Sequence, residues 1–237
     1  MGIKISRTKP RNILLSLLYR IHKLLPLSAK TKFRLYLDLE WIFDRLAHET
    51  SFKIYSEKEH PVRTYSKEFI LKKITNEHNV LDLGCKYGQM SNYLAEKSKM
   101  VVGIDFDEAA IKVAQNSYHH INLKFEVGEA SQYLETQTAQ FDVLILSHIL
   151  EHIDQPKIFL SKFTKHFKYI YIEVPDFDKH FLNHYRQDEN IKLNYTDDDH
   201  VSEFDRYELR TLIKECNLSI IEEEYIFGVQ KIWCEVK

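Results

Sequence analysis

Between residues 14 and 46, apolar side chains recur every three or four positions. Leu14, Leu17, Leu18, Ile21 and Leu25 form one series; beyond Pro26, Leu35, Leu39, Ile42, Phe43 and Leu46 form a second. Such spacing places each series on one face of a helix. Pro26 interrupts the first helix, and Ser28 is a ready cap for the second. Leu37 and Trp41 widen the second apolar surface, so that helix is expected to pack on something. A third, shorter helix is expected from Ser66, near Phe69 and Ile70.

From about residue 77 the pattern changes to short Val/Ile/Leu-rich runs alternating with helical stretches. Strands are expected at Asn79–Leu83, Met100–Asp105, 121–127, 141–147 and 169–174. Helices are expected after Gly88, after the capping residue Asp107, and at 154–167, where Ile158, Phe159 and Phe163 face inward. Apolar runs of this kind suit a parallel sheet covered on both faces, and the alternation predicts an open α/β sheet. The ending differs. A helix at 206–216 with Leu209, Leu212, Ile213 and Cys216 on one face precedes two runs, Leu218–Ile226 and Val229–Val236, separated only by Phe227 and Gly228. A connection that short permits only an antiparallel pair. The expected organisation is an N-terminal helical extension or cap, 1–76, and a sheet domain, 77–237. Residues 175–204 show weak periodicity and hold His180, His184, Tyr185, Arg186, Tyr195 and His200. An irregular stretch of that length in a compact domain points to function.

Charge alters this picture at one end. The 237-residue chain carries a net −2, yet residues 1–37 contain nine Lys or Arg (Lys4, Arg7, Lys9, Arg11, Arg20, Lys23, Lys30, Lys32, Arg34) and no acid. Two readings stay open: a solvated basic face on a helical cap, or peripheral contact with an anionic membrane surface or glycan. Overall acidity and the lack of an aromatic-interleaved basic patch on the sheet domain argue against a nucleic-acid partner. Cys85, Cys216 and Cys234 are odd in number and lack metal-ligand spacing, which suits a reducing, cytoplasmic setting. No apolar run approaches a bilayer span, and the run at 13–18 lacks a cleavage-site pattern, so no secretory signal is expected.

The candidate chemistry starts at L-D-L-G-C-K-Y-G, residues 81–88. The loop after a first parallel strand lies at the carboxyl edge, where such sheets bind ligands. Gly84 and Gly88 allow close backbone approach, and Asp105, at the end of strand two, can accept from both ribose hydroxyls. An adenosine-type ligand is implied. The loop fits the dinucleotide fingerprint G-x-G-x-x-G poorly. It resembles motif I, D-x-G-x-G-x-G, of class I S-adenosylmethionine-dependent methyltransferases, with Lys86 in place of the middle glycine. The resemblance continues through V-G-I-D at 102–105, G-E-A at 128–130, F-D-V at 141–143 with L-E-H at 150–152, and I-E-V-P at 172–175. It covers about 77–237 and implies a Rossmann-like seven-stranded sheet with an antiparallel last strand, and S-adenosylmethionine as methyl donor. The implied donor contacts are Asp82, Gly84, Cys85, Gly88, Asp105, Phe106, Glu129, Ala130 and Ser147. Glu129 stands where the family usually has Asp. A side chain at 86 is compatible with φ below zero, and its ammonium should point away from the sulfonium, to solvent by preference or to the donor's carboxylate.

A hydroxyl acceptor needs a base or a metal ion. The expected catalytic residues are His152, His200 and Glu151, with His152 as first choice of base. Quinone-pathway O-methyltransferases resembling this chain carry E-x-x-E-H and use a divalent ion; here His148 replaces the first acid. Glu151, His152 and His200 are the candidate metal ligands, with polar substrate contacts as the alternative. His148, Glu151 and His152 also spell the H-x-x-E-H of inverted zinc peptidases, which its place at a strand end makes a poor fit. Residues 33–65 look similar to methyltransferases of bacterial surface-polysaccharide assembly. The expected function is O-methylation of a sugar or other small hydroxyl acceptor. The alternatives are N-methylation of protein or nucleic acid, and an inactive binding module.

Overall fold

The structure, a computed structural model, describes residues 12–56, 59–136, 140–197 and 199–237. Lys4, Arg7, Lys9, Arg11 and Asp198 lie outside the described residues.

Seven strands form one sheet: β1 (Asn79–Leu83), β2 (Met100–Asp105), β3 (Leu123–Val127), β4 (Val143–Ser147), β5 (Tyr169–Pro175), β6 (Leu218–Ile226) and β7 (Val229–Val236), in the order β3-β2-β1-β4-β5-β7-β6. The first five are mutually parallel, and β7 runs antiparallel between β5 and β6. The predicted hairpin is present. Phe227 and Gly228 both take positive φ (53° and 76°), as a two-residue turn matched to strand twist requires.

Alternate strand residues face opposite layers. Leu81, Leu83, Leu144, Leu146, Ile170 and Ile172 meet Phe159 and Phe163 of α7 (Pro156–Phe163) and Leu209 and Ile213 of α9 (Arg206–Glu215). On the other face Val80, Val101, Val143, Ile145 and Trp233 meet Leu94 of α4 (Gln89–Ala95) and Phe69 and Ile70 of α3 (Pro61–Leu71). Thus α3 starts five residues before the expected Ser66, because Pro61 suits a first helical turn, and it packs directly on the sheet. Helix α5 (Glu108–Ser117) is capped as expected by Asp107, whose carboxylate accepts from the Ala109 and Ala110 amides.

Two short helices have no counterpart in the sequence expectation: α6 (Ala130–Thr136) and α8 (Leu182–Asp188). Each is seven residues long, too short for a period to stand out. At the N-terminus α1 (Ile13–Leu24) and α2 (Ala29–Ile54) form a hairpin across Pro26. Leu37 is the one residue of these two helices that is buried. The strand order reverses between β1 and β4, so the ligand crevice of such a sheet opens above their carboxyl ends.

Candidate active site

Two half-sites meet over that crevice. The first is built from the loops after β1 and β2. The amides of Gly84 and Cys85 both donate to the Ile104 carbonyl, at 2.8 and 3.0 Å, tying the loop to the end of β2. The Asp105 carboxylate is almost fully buried, and accepts at 2.9 Å from the amides of Lys86 and Asp107, one on each oxygen. Each oxygen retains a lone pair for a ribose hydroxyl. Phe106, next in sequence, leaves its ring 80% exposed, a free apolar wall beside that carboxylate. Gly84 has φ +71°, and a Cβ there would stand 2.1 Å from Ile149 Cδ1, so the loop after β4 closes directly over it. A buried carboxylate with spare acceptors, an exposed aromatic and a side-chain-free crossing fit an adenosine-bearing methyl donor.

Other expected donor contacts are placed differently. Asp82 turns beneath the loop and accepts from the Ser91 hydroxyl at 2.5 Å. Burial pushes its pKa up to about 7; the Ser91 bond opposes this and the nearby Asp105 charge adds to it. The Cys85 thiol packs against Ile111, Ala114 and Phe125, so only its backbone lines the loop. Gly88 caps α4 at φ +78°, and a Cβ there would strike Phe125 at 2.5 Å; the residue serves packing under the loop. Glu129 is exposed and accepts from the Gln132 amide at 2.9 Å, closing the first turn of α6, which begins at Ala130. Ser147 donates towards Glu173 at 3.3 Å.

Lys86 corrects one expectation. Its φ is +50°, not negative, so a lysine holds the left-handed geometry that glycine adopts at lower cost. Its amide is needed by Asp105, which fixes that backbone geometry. Its ammonium does face solvent, 3.4 Å from the Asp107 carboxylate.

The second half-site begins at His148, which follows β4 at φ +55°. Its imidazole bridges two buried carboxylates: Nδ1 lies 3.0 Å from Glu151 and Nε2 3.2 Å from Glu173. Burial opposes the charge, but the bonds to both acids outweigh it and raise the pKa to about 10. His148 is therefore an imidazolium at neutral pH. Glu173 stays ionised: desolvation resists this, and His148 more than compensates. Tyr171 also donates to Glu173. A glutamate within the apolar run of β5 was the sequence signal for this cluster, since an unpaired charge is not stable there.

His152 ends a single 3-10 turn, Leu150–His152, so the H-x-x-E-H string is not on an α-helix. Its Nδ1 lies 3.2 Å from the Asp199 carbonyl, an acceptor, so Nδ1 carries the proton and Nε2 the lone pair. The ring of His200 packs edge-on against it, centroids 4.8 Å apart. Glu203 and Thr196 hold His200 Nδ1, at 2.9 and 3.0 Å. Burial works against its charge, but Glu203 prevails and the pKa is raised. Ligand atoms of Glu151, His152 and His200 all lie within 4.8 Å of one another, and the buried Glu151 Oε2 has no partner among the described residues. Two imidazoles and an orphaned carboxylate oxygen fit a first-row divalent ion.

Residues 177–196 and α2 border a small cleft of about 50 Å³ lined by Trp41, Arg45, His48, His180, Asn183 and Arg186, among others. A second depression, which His200 lines, adjoins it and shares Trp41. Long-range polar bonds assemble the wall. Trp41 Nε1 donates to the Tyr195 carbonyl at 3.2 Å, Arg45 to that of Thr196 at 2.9 Å, and Arg186 to that of Leu37 at 2.8 Å. Arg186 also pairs with Glu40, and Lys179 with Asp44 at 3.1 Å. Burial, and next the Lys179 charge, lower the His48 pKa; the charged His148 acts in the same direction. None of Trp41, His48, Asn183 or Arg186 was named as a site residue from the sequence: the bonds that bring α2 to this segment, from Trp41 to Tyr195 and from Arg186 to Leu37, join residues about 150 positions apart.

Residues 56–223 match the family model described as "Methyltransferase domain". The chain belongs to that family. This methyltransferase is 28% identical over 134 residues to the ubiquinone biosynthesis O-methyltransferase of Coxiella burnetii, covering 48% of this chain and 57% of that one. Against the enzyme of the same name from Azoarcus sp. (strain BH72) it is 35% identical over 80 residues, 33% and 34% of the two chains. The match thus spans about a third to somewhat over half the length of these relatives. Among solved structures, magnesium protoporphyrin IX methyltransferase from Synechocystis PCC 6803, with bound S-adenosylhomocysteine, superimposes with TM-score 0.57 at 15% identity, covering 88% of this chain and all of that one. The Haloferax volcanii methyltransferase solved with its Trm112 activator gives 0.57 at 14%, covering 73% and 88%. These structural likenesses establish the fold. The two sequence relatives are named for ubiquinone biosynthesis and give no support to the expected polysaccharide subfamily. No described helix is long and apolar enough to cross a membrane.

Proposed function

We propose that this methyltransferase O-methylates a polyhydroxylated small acceptor of the sugar class, bound between α2 and residues 177–196. The supporting observation is chemical. His180 Nδ1, Arg186 Nε and Asn194 Oδ1 are buried in one cleft and lack partners among the described residues. Unpaired buried polar atoms are costly, and a ligand bearing several hydroxyls satisfies donors and acceptors alike. Trp41 offers a flat apolar surface for a sugar ring. The cleft's cations are matched by acids, Arg186 by Glu40, Lys179 by Asp44 and Arg45 by Asp197, which disfavours a polyanionic acceptor.

When bound, S-adenosylmethionine supplies a methyl on a positively charged sulfur, and that sulfur keeps the bonding electron pair as the methyl leaves. Asp105 holds the ribose end. His152 Nε2 takes the proton from the attacking hydroxyl, and its partly exposed ring passes that proton to solvent. Glu203 fixes His200 so that its Nε2 orients the acceptor. With a divalent ion present, Glu151, His152 and His200 would hold it instead, and the ion would lower the acceptor hydroxyl's pKa in place of proton uptake by His152 Nε2. The same reading makes α2 the part of the N-terminal extension that caps the acceptor site.

The test is methyl transfer from isotope-labelled S-adenosylmethionine to a panel of nucleotide sugars, free glycans and catechol-type quinols, with and without chelator. Label on a sugar hydroxyl is the expected result. Label on quinols alone would overturn the acceptor class.

A further inference from the structure

Helix α1 is unusual for a soluble surface helix: no residue of it is buried. Ile13, Leu14, Leu17, Leu18, Ile21 and Leu24 fall on one face at helical spacing, and each is at least 44% exposed. The helix's polar contacts come from its other side, which also carries the exposed Leu15 and Tyr19. His22 Nδ1 meets the Tyr36 hydroxyl at 2.7 Å, and Lys32 donates to the His22 carbonyl at 2.9 Å, so α2 takes the polar edge and leaves the apolar stripe outward. A contiguous exposed stripe of this size marks a binding surface.

The charge beside the stripe selects its occupant. Arg20 and Lys23 flank it and make no ion pair among the described residues, and the sequence has nine Lys or Arg and no acid in residues 1–37. A second copy docked face to face would set these cations against their own images. At about 18 Å, α1 is too short to span a bilayer of about 30 Å. An apolar stripe bordered by uncompensated cations suits a helix lying in the plane of a lipid interface.

We propose that α1 docks this methyltransferase on an anionic phospholipid bilayer, its apolar stripe among the acyl chains and Arg20 and Lys23 at the headgroups. Helix α2 runs from that contact to the acceptor cleft through Trp41 and Arg45, so docking holds the cleft near the membrane surface. The inference stands apart from the acceptor reading, because vesicle binding is measured with neither donor nor acceptor present.

The experiment is flotation of the full chain with phosphatidylcholine vesicles, with or without phosphatidylglycerol. The expected result is binding to the anionic vesicles that falls with salt, and at least tenfold weaker binding to neutral ones. Leu14→Gln with Leu17→Gln and Leu18→Gln should weaken binding more than tenfold while leaving the thermal unfolding midpoint in place, since each of those residues is more than half exposed. Arg20→Gln with Lys23→Gln should cost about fivefold per charge on anionic vesicles only. Equal binding to both vesicle types, or none, overturns the proposal. So does a dimer, seen by light scattering, that the triple variant dissolves.

Discussion

The donor half of the site and the acceptor half are built by different rules. The donor half is local: a loop of a few residues, one carboxylate at a strand end, and backbone bonds from Gly84, Cys85 and Lys86 that follow from strand pairing. The acceptor half is assembled at long range, with α2 bonded to residues some 150 positions later through Trp41, Arg45 and Arg186. Backbone geometry defines the first and side-chain pairing the second. Substitutions should therefore damage the two halves in separable ways.

The largest expected effect is on chemistry. His152→Ala should lower kcat by about 10²–10⁴-fold, the usual contribution of a positioned base, while donor affinity stays within about twofold. Single-turnover rates with calorimetric donor binding check this; full activity in the variant would remove His152 as base. Asp105→Ala should do the opposite, weakening donor binding more than tenfold.

Next in size is the charged cluster joining the halves. His148→Gln leaves Glu151 and Glu173 buried without their shared cation. Breaking such a cluster costs about 2–3 kcal/mol, below the roughly 3–5 kcal/mol of fully buried pairs because the His148 ring is partly exposed. The raised pKa fixes the sign: the stabilisation is complete below about pH 6.5, the ordinary histidine value, and is lost as pH rises towards 10. Urea unfolding from pH 6 to 10 should show a decline in wild type that the variant lacks.

Asp82 has the same sign in a lower window. Its raised pKa favours the protonated carboxyl in the fold, so its contribution is fully present below about pH 4 and lost as pH rises through about 7. Asp82→Asn should flatten that segment of the stability profile, because Asn can still accept from Ser91. An unchanged profile would show that Asp82 titrates normally.

Much of the donor half was legible because its signals are consecutive. The limits of β1, β2, β6 and β7, the Asp107 cap and the carboxylate at 105 depend on residues close in sequence. The pattern failed where geometry is set from a distance. Lys86 is forced to positive φ by the Asp105 bond, Asp82 is drawn under the loop by Ser91, and Gly88 is required by Phe125. Helix α8 was hidden for a related reason, since Arg186 is buried against Leu37 and Glu40, which no local pattern names.

The smallest effect concerns Lys86. Lys86→Gly removes left-handed strain of about 1–2 kcal/mol but restores chain entropy in the unfolded state, so net stability should change by about 1 kcal/mol or less. Donor affinity should not change, because the ammonium faces Asp107 and solvent. Tighter donor binding in the glycine variant would show that the lysine intrudes on the cleft.

The separation of the two halves is tested most directly by titration calorimetry with S-adenosylhomocysteine on wild type, Asp105→Ala and Arg186→Ala. The account predicts a loss of affinity above tenfold for Asp105→Ala and wild-type affinity for Arg186→Ala, with the latter folded and inactive on the acceptor. Equal losses in both variants would contradict a donor site made by the β1 and β2 loops alone.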